Sequence, residues 1–536
     1  MGDRVAPRHC RQPRLERASS DSATIPRVGS GAALQRTAIR WQARAHIVSR
    51  RLLHSPRFAV FAVACVVAAI AFVFVPVGGG NPPGFYRDES GIALNAAQLA
   101  SSGRDEYGTL LPMYFRSYGD WKSAPYIYLL AGVFSVTGPS ELTARVLSSV
   151  LGLVAVVILG LLGGLLSGHR SVAVATAALA AATPWLFEVT RLVFEVALEP
   201  ALIALLLLLL VGVCANETWP RWRCAALGIT LALIAYAYAG GRALAPLLAL
   251  ALVVFATGRR RRSVLLTLSC FAAALVPMAL FAATNPRALF VRYSRVSGGQ
   301  DQDPLKWALS TLINVVQELD LPRWVLHGDK NLRHHVGSTG SLLAAGVLLA
   351  LAGVVVLLRG RRWEPFWSYV VLGCLASAVP AAISDTRIHS LRSVGLPIFL
   401  IVLAVPALTA LRERIKQPTA RVAVVVATIL VVGQTALFHA QYAARGAGRI
   451  EAFHVEFRPV LRAALATGRG PVEVYQDDPD AMGNATWYGK LWKEPVEVLG
   501  KGQEPSPGSA VVAVEKRCAR CPKIAERGIF VAYVAR

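Results

Sequence analysis

Apolar runs long enough to cross a bilayer alternate along the chain with short polar connections. A hydrocarbon core about 30 Å thick asks for about 20 apolar residues in a helix. Eleven segments suit that requirement: 57–77, 143–166, 171–187, 198–214, 223–239, 243–257, 264–283, 340–358, 365–383, 394–411 and 421–438. Each predicts a membrane-spanning helix. A further run, "APYIYLLAGVFSVTG" at 124–138, is too short to span comfortably and predicts a helix lying on the outer membrane face. Beyond about residue 440 the pattern changes: "PVEVYQ", "PVEVLG", "SAVVAVE" and "GIFVAYVA" read as short strands, with helical stretches near 451–467 and 480–491 between them. The predicted fold class is therefore mainly α, a polytopic membrane helical bundle of about eleven transmembrane helices with a small C-terminal α/β domain. Its expected divisions are an arm at 1–55, a transmembrane domain at 56–440 and the α/β domain at 441–536.

Composition agrees with that pattern. Of the 536 residues 54% are hydrophobic and 16% charged, more apolar surface than the core of a water-soluble domain of this size needs. The formal charge of +24 would suggest a nucleic-acid partner in a soluble protein, but the position of the arginines points elsewhere, and no nucleic acid is predicted. Residues 1–57 hold twelve Arg against Asp3, Glu16 and Asp21. The other basic clusters, "GHR" at 168–170, "PRWR" at 220–223, "GRRRRS" at 258–263, "RGRRWE" at 359–364 and "RERIKQPTAR" at 412–421, fall between spans. Basic residues beside spans are retained on the cytoplasmic side, and eleven spans put every one of these clusters there with the N-terminus. The expected location is a bacterial cytoplasmic membrane, crossed many times, with the C-terminal domain outside. The arm, rich in Arg, Ser and Pro, reads as a disordered cytoplasmic segment attracted to anionic membrane lipid, and the first span as an uncleaved anchor.

This topology sends the loops 78–142, 188–199, 239–243, 284–339 and 384–393, and everything after about 440, to the outer side. Span interiors are nearly free of ionisable groups, because Glu141, Arg145, Glu199 and Arg223 lie near span ends. That argues against a transporter or pump, which places charge at membrane depth. Of the eight cysteines only Cys518 and Cys521 have motif spacing; one such pair without a second predicts a disulfide or two free thiols rather than zinc. Asn484-Ala485-Thr486 matches a glycosylation sequon, a pattern common by chance.

The candidate chemistry begins at "FYRDESG". Asp88 and Glu89 open a helical stretch just beyond the first span, where acidic residues also serve the free N–H groups of a helix's first turn. A second acidic pair, Asp105-Glu106, follows in "SGRDEYG" and reads as a solvated turn. The stretch "GFYRDESGIALNAAQLASSG", followed by "DWKSAPYIYLLAGVFSVTGPSELTARVLSSVLG", resembles the start of the GT-C membrane glycosyltransferases of the protein O-mannosyltransferase and lipid A aminoarabinose transferase type. The resemblance continues in order through "TPWLFEVTR" at 183–191, "RYSRVS" at 292–297, "NLRHHVG" at 331–337 and "IHSLRSVGLP" at 388–397, and covers roughly 57–440.

What the resemblance implies is transfer of a sugar from a polyprenyl-phosphate donor to a protein, lipid or glycan acceptor on the outer side. By resemblance Asp88 is the general base and Glu89 a supporting acid. Successive helical residues point about 100° apart, so the two do not flank one glycosidic bond as a hydrolase pair would, and an inverting single displacement is expected. Lys122, Arg191, Arg242 and Arg392, with Arg292, His335 and His389 behind them, are the candidates for the lipid phosphate, which Arg grips through two donors and Lys as a point charge. No cofactor is predicted: "RHH" at 333–335 lacks a further spaced ligand, and a divalent metal has no support in the sequence. The chain departs from the family where Glu195 and Glu199 stand in place of an Asp after Arg191, and where "KSAP" has one proline fewer than usual. A relative that binds lipid-linked sugar without catalysis, and a lipid or glycan transporter, are the competing readings.

Overall fold

The computed structural model describes residues 80–536 except 215, 290–302, 338 and 385–387. The arm, the span at 57–77 and Arg292 lie outside the described residues. The first half of the described chain holds α1 (Arg87–Ser102), the hairpin β1 (Tyr114–Ser117) and β2 (Asp120–Ser123), α2 (Ala124–Thr137), α3 (Glu141–Ser167), α4 (Arg170–Ala182), α5 (Pro184–Val189), α6 (Glu199–Val211), α7 (Arg221–Ala237), α8 (Gly241–Ala251) and α9 (Arg260–Thr284). Then come α10 (Pro304–Glu318), α11 (Leu321–Leu326), α12 (Ala344–Arg359), α13 (Pro365–Ala382), α14 (Gly395–Glu413) and α15 (Pro418–Arg445). The C-terminal part is α16 (Phe457–Leu465), β3 (Val472–Tyr475), α17 (Pro479–Trp492), β4 (Val496–Leu499), β5 (Ala510–Ala513), β6 (Lys523–Arg527) and β7 (Phe530–Val534).

Every predicted span within the described residues contains a helix, and five of these helices, α3, α9, α13, α14 and α15, are long and apolar enough to cross a membrane. The most apolar stretches of α9 and of the helix from Pro418 are only 17% and 6% buried inside the protein, at mean hydropathies of 2.3 and 2.1. An apolar helix left uncovered by its own chain faces lipid, which makes this a multi-pass membrane protein. Inside the bundle small residues let helices touch. At Gly163 of α3 a Cβ would lie 2.3 Å from Thr176 Oγ1 of α4, an approach membrane helices use because burial against lipid contributes little.

Two elements depart from the pattern. The run at 171–187 breaks after Ala182, because Pro184 drives Thr183 into extended backbone (φ −71°, ψ 116°) and α5 starts on a new axis. The loop 284–339, predicted to lie outside, contains α10 and α11, which the sequence reading left unassigned. Helix α10 exposes Leu305, Leu309, Leu312 and Val316 at helical spacing, the stripe of an interfacial helix.

The C-terminal part forms a five-stranded mixed sheet, order β4-β3-β5-β7-β6, packed on α16 and α17. Strand β6 was not foreseen; its alternation is poor and its residues are mostly exposed. Cys518 and Cys521 form a disulfide. Asn484 is fully buried, its side chain bonded to Ser90 and His454, so the sequon is no acceptor in the folded chain.

Candidate active site

The segments assigned to the outer side by charge all meet on one face of the bundle. Glu141 accepts from Arg458 and, at 2.8 Å, from the Tyr488 hydroxyl; Arg449 donates to Asn81 at 3.1 Å and to the Leu332 carbonyl at 2.9 Å. Helix α1 lies in the middle of this assembly. Its first turn is held by α17, through Arg87 to Asp480 at 3.0 Å and Ser90 to Asn484 at 2.9 Å, and Phe85 stacks on Trp487. The C-terminal part of the chain thereby positions the helix that carries Asp88.

Asp88 faces a cavity of about 200 Å³. Lys122, 34 residues on, reaches its Oδ1 at 2.8 Å from strand β2, and the ammonium is almost entirely buried. Around the same cavity stand Glu195, Arg333, His334, His389 and Arg392. Arg333 stacks over Tyr86 at 4.3 Å from the ring centre, and Arg392 donates to Ser384. Glu195 Oε1 accepts from the Ser123 backbone N–H at 3.1 Å, which ties the loop after α5 to the end of β2. The cavity thus gathers the carboxylates of Asp88, Asp120 and Glu195, one ammonium, two guanidinium groups and two imidazoles. That set suits an anionic ligand beside a proton acceptor.

Of the residues expected from sequence, Asp88, Lys122, His389 and Arg392 line this cavity and four others do not. Glu89 is fully buried and faces the protein: it accepts from the Tyr86 N–H at 3.0 Å and the Val193 N–H at 3.1 Å and pairs with Arg145 at 3.3 Å. It closes a capping box and pins the loop after α5, leaving it no face for substrate. Arg191 is buried over the Phe187 ring, 3.2 Å from its centre, and donates to the Phe187 carbonyl; burial pulls its pKa down to about 9. Arg242 packs on Tyr114 and donates to the Leu289 carbonyl at 2.9 Å. His335 is fully buried between Glu188 and the Thr339 carbonyl. In "NLRHHVG" it is Asn331, Arg333 and His334 that line the cavity, while His335 turns into the core. Glu199 is buried and also absent from the lining.

Burial lowers the His335 pKa and the Glu188 carboxylate 2.5 Å away more than reverses it, so the net shift is upward. A histidine with a raised folded pKa stabilises most below its ordinary value of about 6.5, and that contribution is lost as pH rises through the folded value. Thermal stability should therefore fall between about pH 6 and pH 9 more steeply in the wild type than in His335→Asn. Parallel melting curves check it; equal slopes would show that the pair adds nothing.

The second acidic pair is not the solvated turn expected. Asp105 is buried, its Oδ1 accepting from the N–H groups of Tyr107 at 3.0 Å and Thr109 at 2.7 Å. Glu106 is bonded to Asn95 of α1 in both directions, and burial pushes its pKa up to about 7.

One metal-like set is present among the described residues. Asp329, His334 and His389, all buried, bring ligand atoms within 4.8 Å of one another. Two imidazoles and a carboxylate suit a divalent ion, and the expectation of no metal ligands had rested on the 333–335 run alone. The trio also carries internal bonds: His334 Nδ1 and Asp329 Oδ2 lie 3.1 Å apart, and Asp329 accepts from Ser390 and Asn331 N–H groups at 2.8 Å.

No family model matches the chain, and no curated protein matches it. Solved structures do. The architecture is the GT-C fold, as the motifs of the first outer loop had suggested. In particular the chain is similar to ArnT from Cupriavidus metallidurans: the apo structure matches at a TM-score of 0.54 and 14% identity over 88% of this chain and 98% of that one. ArnT bound to undecaprenyl phosphate matches at 0.53 and 14%, over 88% and 97%. The archaeal oligosaccharyltransferase AglB from Archaeoglobus fulgidus, in complex with an inhibitory peptide and a dolichol-phosphate, matches at 0.49 and 12%, over 81% of this chain and 64% of that one.

Proposed function

We propose that this protein is an integral membrane glycosyltransferase that moves a sugar from a polyprenyl-phosphate carrier to an acceptor on the extracytoplasmic side. The observation that carries the reading is the Asp88–Lys122 pair in a cavity that Arg333 and Arg392 also line. A lipid-linked donor needs its phosphate stabilised as it departs and needs an acceptor proton removed as the new bond forms. Lys122, Arg333 and Arg392 supply the first requirement and Asp88 the second. When a donor phosphate draws on the Lys122 ammonium, the Asp88 carboxylate is left to accept the acceptor's proton. Undecaprenyl phosphate in the similar ArnT supports a polyprenyl-phosphate partner here. With Glu89 turned inward, Asp88 acts without an adjacent acid, in keeping with an inverting single displacement. A divalent ion on Asp329, His334 and His389, if bound, would add Lewis-acid stabilisation of the same phosphate; the steps assigned to Asp88 and Lys122 stand apart from it.

The test is binding of undecaprenyl phosphate to the full chain in nanodiscs. A hydrogen bond to a charged group is worth about 1.5–3 kcal/mol, so Lys122→Met should weaken binding about 10- to 100-fold, and Arg392→Met should weaken it too. Unchanged affinity in both variants would remove the cavity as the phosphate site.

A further inference from the structure

A second, larger cavity lies on the other side of α1. It is a groove of about 870 Å³ between the C-terminal half of α1, the loop at Glu106 and Tyr107, the end of α2, and the C-terminal domain's α17 and β4. We propose that this groove binds an oligosaccharide and is where a glycan acceptor docks. The second half of that statement rests on the transferase reading; the first does not.

Three observations support it. The floor is apolar, from Leu94, Phe134 and Met482, and the rim carries hydrogen-bonding side chains on both walls, Gln98 and Glu106 on one and Gln476 and Lys490 on the other. A sugar ring presents C–H faces edged by hydroxyl groups, and this division of apolar floor and polar rim complements it. Glu106, with a pKa near 7, can both donate to and accept from hydroxyls at neutral pH. An acyl or prenyl chain would strip water from both polar walls and offer no hydrogen bond in return. An extended polypeptide would be expected to add to the sheet edge at β4, but Val496 and Val498 line the groove while Glu497 does not, so β4 offers it a face rather than its edge.

The groove also leads toward the reaction centre. Leu94 and Gln98 stand six and ten residues after Asp88 on one helix, about 9 and 15 Å along its axis. Tyr118 packs against both α1 and α17. Tyr118 sits at φ 52°, followed by Gly119 at φ 72°, in the tight turn joining β1 and β2, a conformation that hairpin turns usually reserve for Asn, Asp or Gly. The turn directs the Tyr118 ring between Gly91 of α1 and Gly483 of α17, where a Cβ would come within 2.8 Å and 2.6 Å of the phenol. The ring feels both Glu106 on the groove side and Asp88 on the cavity side. Its hydroxyl is buried beside the Ser117 side chain.

The experiment uses the full chain in nanodiscs with mannohexaose, arabinohexaose and galactohexaose as probes, and saturation-transfer NMR as the readout. At least one should bind, and Ser101→Trp and Gln476→Trp, both at exposed positions on the rim, should each weaken it at least tenfold. Undecaprenyl phosphate binding should be unchanged in both variants, which shows them folded. Binding of none of the three, or binding that both variants keep, overturns the groove as a glycan site. Loss of a labelled Ser-Thr decapeptide in the Trp variants, with sugar binding kept, would assign the groove to polypeptide and overturn the glycan. If wild type fails to bind undecaprenyl phosphate yet binds a hexasaccharide, the donor reading falls and the groove stands.

Discussion

Asp88→Asn is expected to abolish sugar transfer while leaving the fold and donor binding in place. The amide keeps the size of the carboxylate and can still face Lys122, but it cannot accept a proton from the attacking hydroxyl. A positioned general base contributes typically 10²- to 10⁴-fold, so transfer should fall by at least about a hundredfold. Undecaprenyl phosphate should bind no more weakly than to the wild type, because a negative charge beside the phosphate has been removed. Two readouts therefore move in different directions. A loss of both together would mean that Asp88 organises the cavity through Lys122 and that the base lies elsewhere, with Glu195 on the same cavity wall the next to test.

The neighbouring residue should behave differently. Glu89→Ala is expected to destabilise the protein rather than change its chemistry. The substitution strips the Tyr86 and Val193 N–H groups of their acceptor and leaves the Arg145 guanidinium, itself mostly buried, with only the Pro82 and Gly84 carbonyls. Breaking a buried pair from one side costs about 3–5 kcal/mol, enough to lower the melting temperature by several degrees in detergent. Transfer per folded molecule should hold. A variant that melts like the wild type but loses activity would return Glu89 to the chemistry.

The helices were legible because a bilayer imposes one length on every span, and runs such as Glu141–Ser167 carry that constraint openly. The break at Thr183 was marked by Pro184 but hidden in a continuous apolar run, and α10 was masked because an interfacial helix needs only one apolar stripe. The segments that charge in short loops assigned to the outer side lie together on one face of the bundle, since that rule depends on position along the chain. The site was legible only where one residue could be named without its neighbours. Asp88 and Lys122 meet because the β1–β2 hairpin brings position 122 back to α1. In the pairs Asp88-Glu89 and His334-His335, one member faces the cavity and the other the core, and nothing in the order of residues says which. The role of the second acidic pair was hidden for the same reason: Glu106 is bonded to Asn95 and shares a groove with the C-terminal part of the chain, whose docking no local pattern announces.

The measurement closest to the central claim is release of polyprenyl phosphate from labelled polyprenyl-phosphate hexoses and pentoses by the purified full chain in proteoliposomes containing an envelope extract. Label should pass from lipid to a water-soluble or membrane-bound acceptor with the wild type and not with Asp88→Asn. Transfer undiminished in Asp88→Asn, or labelled lipid moved between leaflets with its sugar still attached, would contradict the account.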